Sequence, residues 1–161
     1  MKSIFLAVAL ACAALTAEAE TPEQWIALGT RVHGFFGGFI PAGIRIGLDA
    51  MDRLHAQSRQ LMVTYYQGAK APCPCVVDGI ALALGASLGQ GTATVAPEKA
   101  PAGLMGVAVI RDRKTGEGLR YEIGDDWLPK MLAWNKDEPQ KRFDEAMAAL
   151  DMFTVEPLPK Q

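Results

Sequence analysis

The chain has 161 residues, with 16 lysines and arginines against 18 acids for a net charge of −2. It carries no basic stripe interleaved with aromatics, which argues against nucleic acid as a partner. Three cysteines make no disulfide framework, and past the N-terminus no stretch is apolar and long enough to span a bilayer.

Residues 1–19 have the form of a secretory signal peptide. Lys2 precedes an apolar run over 4–15, and Ala17 and Ala19 are the small residues before a cut after Ala19. The expected product is periplasmic or secreted and soluble. Lys2 and Glu18 leave together, so the charge balance holds, and Cys12 leaves with them. Cys73 and Cys75 are then the only thiols. Residues 20–155 have the length of one domain with one core, and 156–161 (EPLPKQ) read as a loose tail.

Thr21, Pro22 and Glu23 suit the start of a short helix reaching Leu28. The glycine-rich HGFFGGFIPAG (33–43) cannot be helical throughout. Helical period returns over Ile44–Gln57, with Ile44, Leu48, Met51 and Leu54 on one face. QLMVTYYQG (60–68) reads as a strand, VVDGIALALGASLG (76–89) as a buried helix, and GTATV (91–95) as a short strand. In LMGVAVIRDRKTGEGLRYEIG (104–124), two β-type runs flank a glycine-bearing turn and predict a hairpin. Two helices follow. Asp125 or Asp126 caps one that carries Trp127, Leu128, Met131 and Trp134; Asp137 caps another, with Phe143, Met147 and Leu150 on one face. The order α-α-β-α-β-β-β-α-α predicts an α+β fold with helices packed on a mainly antiparallel sheet.

His33 by itself has the character of a structural or solvated loop side chain. Its setting adds two features. Gly34, Gly37, Gly38 and Gly43 permit close backbone approach, and Phe35, Phe36 and Phe39 supply the apolar wall of a pocket. His55 reads as a surface residue. The pair Cys73 and Cys75 allows several chemistries. In an extended loop the Cα atoms of Cys-x-Cys sit near or beyond the disulfide range of ~4.4–6.8 Å, and the ring is too small to stabilise a fold through chain entropy. A bond formed there would be redox-active rather than structural. As ligands, the two thiolates with an imidazole suit zinc, copper(I) or a related ion, in a loop stiffened by Pro72 and Pro74. Asp78 can be a ligand, a carboxylate orienting His33, or a helix cap. LGASLGQGT (84–92) lacks the lysine of a phosphate loop, and no hydrolase triad or HExxH is present.

Three ordered segments, HGFFGGFIPAGIRIG, CVVDGIALALGASLGQGT and VAVIRDRKTGEGLR, resemble the E-type domain family of formylmethanofuran dehydrogenase over about residues 30–123. His33-Gly34 and Gly43-Ile44-Arg45 match that family's His-Gly-His and Gly-x-Arg. Cys75-Val76-Val77-Asp78-Gly79-Ile80 matches its cysteine before Val-Asp. Gly85, Ser87, Gly89 and Gly91 match in outline the glycine-rich segment that follows. The resemblance implies a fold shaped like the catalytic domain of glyceraldehyde-3-phosphate dehydrogenase, a zinc-type metal site and a homodimer. The chain departs from the pattern at Phe35 (a second histidine), Gly37 and Ala86 (cysteines) and Gln90 (a lysine), while Cys73 is additional. The zinc ribbon of archaeal members has no counterpart in these 161 residues.

The expected function is that of an exported metal-binding protein, in metal handling or sensing. His33, Cys73, Cys75 and Asp78 form its site, and zinc or another transition metal ion is its cofactor. The alternatives are a metal- or thiol-dependent enzyme acting on a small molecule in the Phe/Gly-lined pocket, and a thiol-redox module. The dehydrogenase role does not carry over, since an exported chain would not meet methanofuran.

Overall fold

Thr21 opens the first helix through a reciprocal pair of bonds: its hydroxyl accepts from the Gln24 N–H, and the Gln24 side chain accepts from the Thr21 N–H at 2.7 Å. The computed structural model describes residues 20–161. The signal peptide expected over 1–19, with Cys12, lies outside them. Helix α1 runs Pro22–His33, longer than expected, because Gly29 does not stop it. A Cβ on Gly29 would meet the Phe36 ring at 2.6 Å, so the missing side chain is where Phe36 packs. Gly34 ends the helix in the left-handed region, at φ 84°.

Helix α2 spans Phe39–Arg53 and starts five residues earlier than its apolar period suggests. Pro41 sits in its first turn, where no amide donor is needed, so the proline does not obstruct the helix. Strand β1 (Leu61–Gln67) leads into α3 (Val76–Leu84), closed by Gly85 at φ 61°, and then β2 (Ala93–Val95). The hairpin forms as expected from β3 (Leu104–Asp112) and β4 (Gly118–Gly124). Asp112 pins its turn by accepting from the Lys114 and Thr115 amides at 2.7 and 2.8 Å, and those bonds hold its carboxyl below the usual carboxylate range.

Helices α4 (Trp127–Trp134) and α5 (Pro139–Ala148) form, but none of the predicted aspartate caps does. Asp126 precedes α4 without a capping bond, Asp125 pairs with Lys70 at 2.9 Å, and Asp137 pairs with Lys141 at 2.8 Å. Leu150, expected on the buried face of α5, lies beyond its end and is 83% exposed. The segment expected to be a loose tail holds most of a fifth strand, β5 (Thr154–Leu158). It pairs antiparallel with β4, Val155 opposite Tyr121. Pro157 is tolerated because β5 is an edge strand. Arg111 donates to the Pro159 carbonyl at 2.9 Å, which holds the end of the chain against the hairpin turn.

The fold is α+β. Among the described residues, five helices pack on a five-stranded mixed sheet of order β2-β1-β3-β4-β5, antiparallel except for β1 with β2. One face of the sheet, including Leu61, Val63, Tyr65, Ile110 and Tyr121, packs with Ile46, Ala50, Ile80 and Leu84 of α2 and α3. A second apolar cluster lies beyond that helix pair, where Trp25 of α1 and Phe143 of α5 meet Ile40, Ile44 and Ala83. The Tyr121 hydroxyl donates to Asp49 at 2.7 Å and ties the sheet to α2; burial and that carboxylate push its pKa above the ordinary value. No helix among the described residues is long and apolar enough to cross a membrane.

Helices α2 and α3 meet at two glycines. A Cβ on Gly79 would strike the Ile40 carbonyl oxygen and lie 3.0 Å from the Gly43 Cα; one on Gly43 would strike the Val76 carbonyl. Alanine for glycine inside a helix normally gains about 1 kcal/mol, but here the obstacle is backbone and cannot swing aside. Gly79→Ala should therefore destabilise the protein by about 2 kcal/mol or more in urea unfolding. Gly89→Ala, where a Cβ meets nothing within 4 Å, should stay within about 0.5 kcal/mol of the parent.

Candidate functional site

The glycine crossing sets the start of α3 beside the end of α1. His33 is the last residue of α1, and Asp78 lies in the first turn of α3. Their side chains meet, with His33 Nδ1 2.7 Å from Asp78 Oδ2 and both groups partly exposed. An ionised carboxylate only accepts, so Nδ1 is the donor in this contact, and in the neutral tautomer that fits it the lone pair is on Nε2. Among the described residues Nε2 makes no hydrogen bond. Asp78 makes no capping bond at the start of α3, and its carboxylate is hydrogen-bonded to His33.

Cys75 is the residue before α3, three positions ahead of Asp78, so both project from one side of the helix start. Its backbone is in the helical region (φ −58°, ψ −22°), and the Pro74 carbonyl accepts from the Val77 N–H at 2.9 Å. The loop is curled rather than extended. That curl brings the Cα atoms of Cys73 and Cys75 to 5.2 Å, inside the disulfide range, and the two cysteines are bonded. An extended loop would hold the pair apart, and the helical start of α3 prevents that extension.

His33, Cys75 and Asp78 line one cleft of about 770 Å³. Much of its remaining wall is apolar, with Val32, Val77, Leu82, Leu88 and Val95, and Arg59, Ser58, Ser87 and Thr94 add polar groups. Arg59 had no marker in the sequence. It reaches the cleft from a backbone at φ 70°, held by its N–H donating to the Leu84 carbonyl at 2.7 Å. Ala86, where the resembled family has a cysteine, lines the same cleft.

The expected Phe/Gly-lined pocket does not form. Phe36 and Phe39 are buried in the two apolar clusters, and Phe35 is half exposed beneath the Arg142 guanidinium, 4.7 Å from its ring centre. Gly38 and Gly43 of that stretch serve packing, a Cβ on Gly38 striking the Met131 carbonyl oxygen and one on Gly43 that of Val76, while Gly34 ends α1. Arg45 points away from the cleft, donating to the Ala146 carbonyl and lying over the Phe153 ring. His55 is exposed and is not part of the cleft wall.

A metal ion does not fit the site in this state. Both sulfurs are tied in the disulfide, and no three His, Cys, Asp or Glu side chains among the described residues form a group that could hold an ion. A family described as "FmdE, Molybdenum formylmethanofuran dehydrogenase operon" matches residues 32–155, from the end of α1 into β5. The chain belongs to the FmdE family. The match includes α4 and α5 as well as the three segments that carried the resemblance. Membership supports a metal-binding role. No curated protein matches the chain.

The His33–Asp78 pair is partly exposed, so its contribution to stability is small even though its geometry is good. A double-mutant cycle with His33→Ala and Asp78→Ala should give a coupling of about 0.2–1 kcal/mol in urea unfolding. A coupling above about 2 kcal/mol would show a pair built for stability rather than for presenting Nε2.

Proposed function

We propose that this FmdE-family chain is an exported metal-binding protein for a soft or borderline ion of zinc type, in metal handling or sensing. The observation that carries the reading is the single cleft wall shared by Cys75, Asp78 and His33, with Cys73 bonded to Cys75. With the cysteines reduced, two thiolates and the His33 Nε2 are the donors, a set suited to zinc or copper(I). Asp78 holds the imidazole in the tautomer that leaves Nε2 free, which is the role of a carboxylate behind a metal-bound histidine. The thiol position lost at Ala86 is offset within the loop by the additional Cys73.

Metal analysis of untagged protein purified under reducing conditions tests the reading. Stoichiometric metal is expected in the parent, strongly reduced in His33→Ala and absent in Cys73→Ser/Cys75→Ser. Metal content unchanged by the double substitution would refute it. Intact mass of the same preparation reports whether the chain starts at Glu20, as export predicts.

A second reading, a small-molecule enzyme, is favoured by the size and apolar lining of the cleft around a carboxylate-oriented histidine. It predicts that compounds from a fragment library perturb the amide signals of Val32, Leu82 and Val95 in NMR. A library with no such binder would remove this reading.

A further inference from the structure

The Cys73–Cys75 bond has little to do for the fold. It closes a ring across one intervening residue, and a loop that short removes little entropy from the unfolded chain. The loop is already held without it, by the turn bonds from Val77 N–H to Pro74 and from Asp78 N–H to Cys75, and by the buried packing of Val76 and Val77. Neither cysteine is buried, and Cys75 lines the cleft beside His33 and Asp78. A small, accessible ring with no structural task is the profile of a labile disulfide rather than a protective one. The oxidised site also disagrees with the metal reading, because the bond occupies the two sulfurs that reading needs.

We propose that Cys73 and Cys75 form a thiol–disulfide exchange site for dithiols, and that its reduction opens the donor set of the cleft. The exchange balances without any further reagent. One thiolate of the dithiol attacks a sulfur of the Cys73–Cys75 bond, which breaks as a mixed disulfide forms, and the displaced cysteine thiolate takes up a proton. The second thiol of the reductant then attacks the mixed disulfide, closes its own disulfide and frees the other cysteine as a thiol. The protein gains two electrons and two protons, and the dithiol loses the same. The consequence for metal rests on the proposed function; the exchange itself does not.

The test uses the full chain with Cys12→Ser, so that only the pair reports. The protein is equilibrated in mixtures of reduced and oxidised dithiothreitol, quenched with a maleimide and weighed by mass spectrometry, with circular dichroism recorded in parallel. Zinc alone is then titrated into each form. The expected result is reversible conversion between zero and two labelled thiols with the fold retained, and zinc binding at least tenfold tighter to the reduced form. Thiols that never pair under oxidising conditions, or a bond that opens only on unfolding, would overturn the exchange site. Equal zinc affinity in both forms would overturn the opening of the donor set. Reversible exchange with zinc binding in neither form would leave the exchange site standing and instead remove the metal reading.

Discussion

The arrangement of the cleft depends on one constraint, the contact of α2 with α3 through Gly43 and Gly79. Two helices can come this close only where neither carries a Cβ, and each glycine here faces backbone of the other helix rather than a side chain. The contact continues at Gly47, where a Cβ would lie 2.6 Å from that of Ala83. Because α2 is bound to the sheet through Ile46, Ala50 and the Asp49–Tyr121 bond, its grip on α3 fixes where the first turn of α3 lies. Asp78 and Cys75 are placed by that turn. The glycine beside Asp78 is thus as much a part of the site as the aspartate, although it touches no ligand.

A second chain of packing brings His33 to the same place. Phe36 fills the space over Gly29, so α1 can run on to His33 before Gly34 ends it. The loop that follows is fastened by Arg142, a buried guanidinium whose donors reach the carbonyls of Phe36 at 2.6 Å and of Trp134 and Asn135 at 3.1 Å. Asn135 completes the clamp by accepting from the Gly38 N–H at 2.9 Å. A buried cation needs such partners to offset its lost hydration, and here the partners are the carbonyls at the end of α4 and in the glycine-rich loop. The Phe- and Gly-rich stretch is therefore a packing joint rather than the wall of a pocket.

These two chains of packing explain why the site joins residues 45 positions apart with so few strong bonds. The His33–Asp78 pair is partly exposed, whereas the helices that carry it pack through buried contacts at Gly29, Gly43 and Gly79. A site placed by packing keeps its geometry when its own chemistry changes, which is what the proposed opening of the disulfide in its wall requires.

Much of the fold was legible in the sequence. Alternating β-branched and aromatic residues marked β1 and the hairpin, and the Thr21-Pro22-Glu23 start marked α1. His33, Cys75 and Asp78 stood out by residue type, because few other side chains offer soft or titratable donors. What the sequence could not supply is whatever depends on a neighbour distant along the chain. Gly29 and Pro41 look like breakers, yet one is a packing notch and the other a first-turn residue whose missing N–H costs nothing. β5 lacks a strand signal because Pro157 interrupts it, and pairing with β4 decides it. Arg59 joins the cleft only because a backbone bond to Leu84 holds it there. The cysteines show the division most clearly. Their spacing in sequence left bonded and separate states both open, and the helical turn of α3, set by packing against α2, brought them within reach.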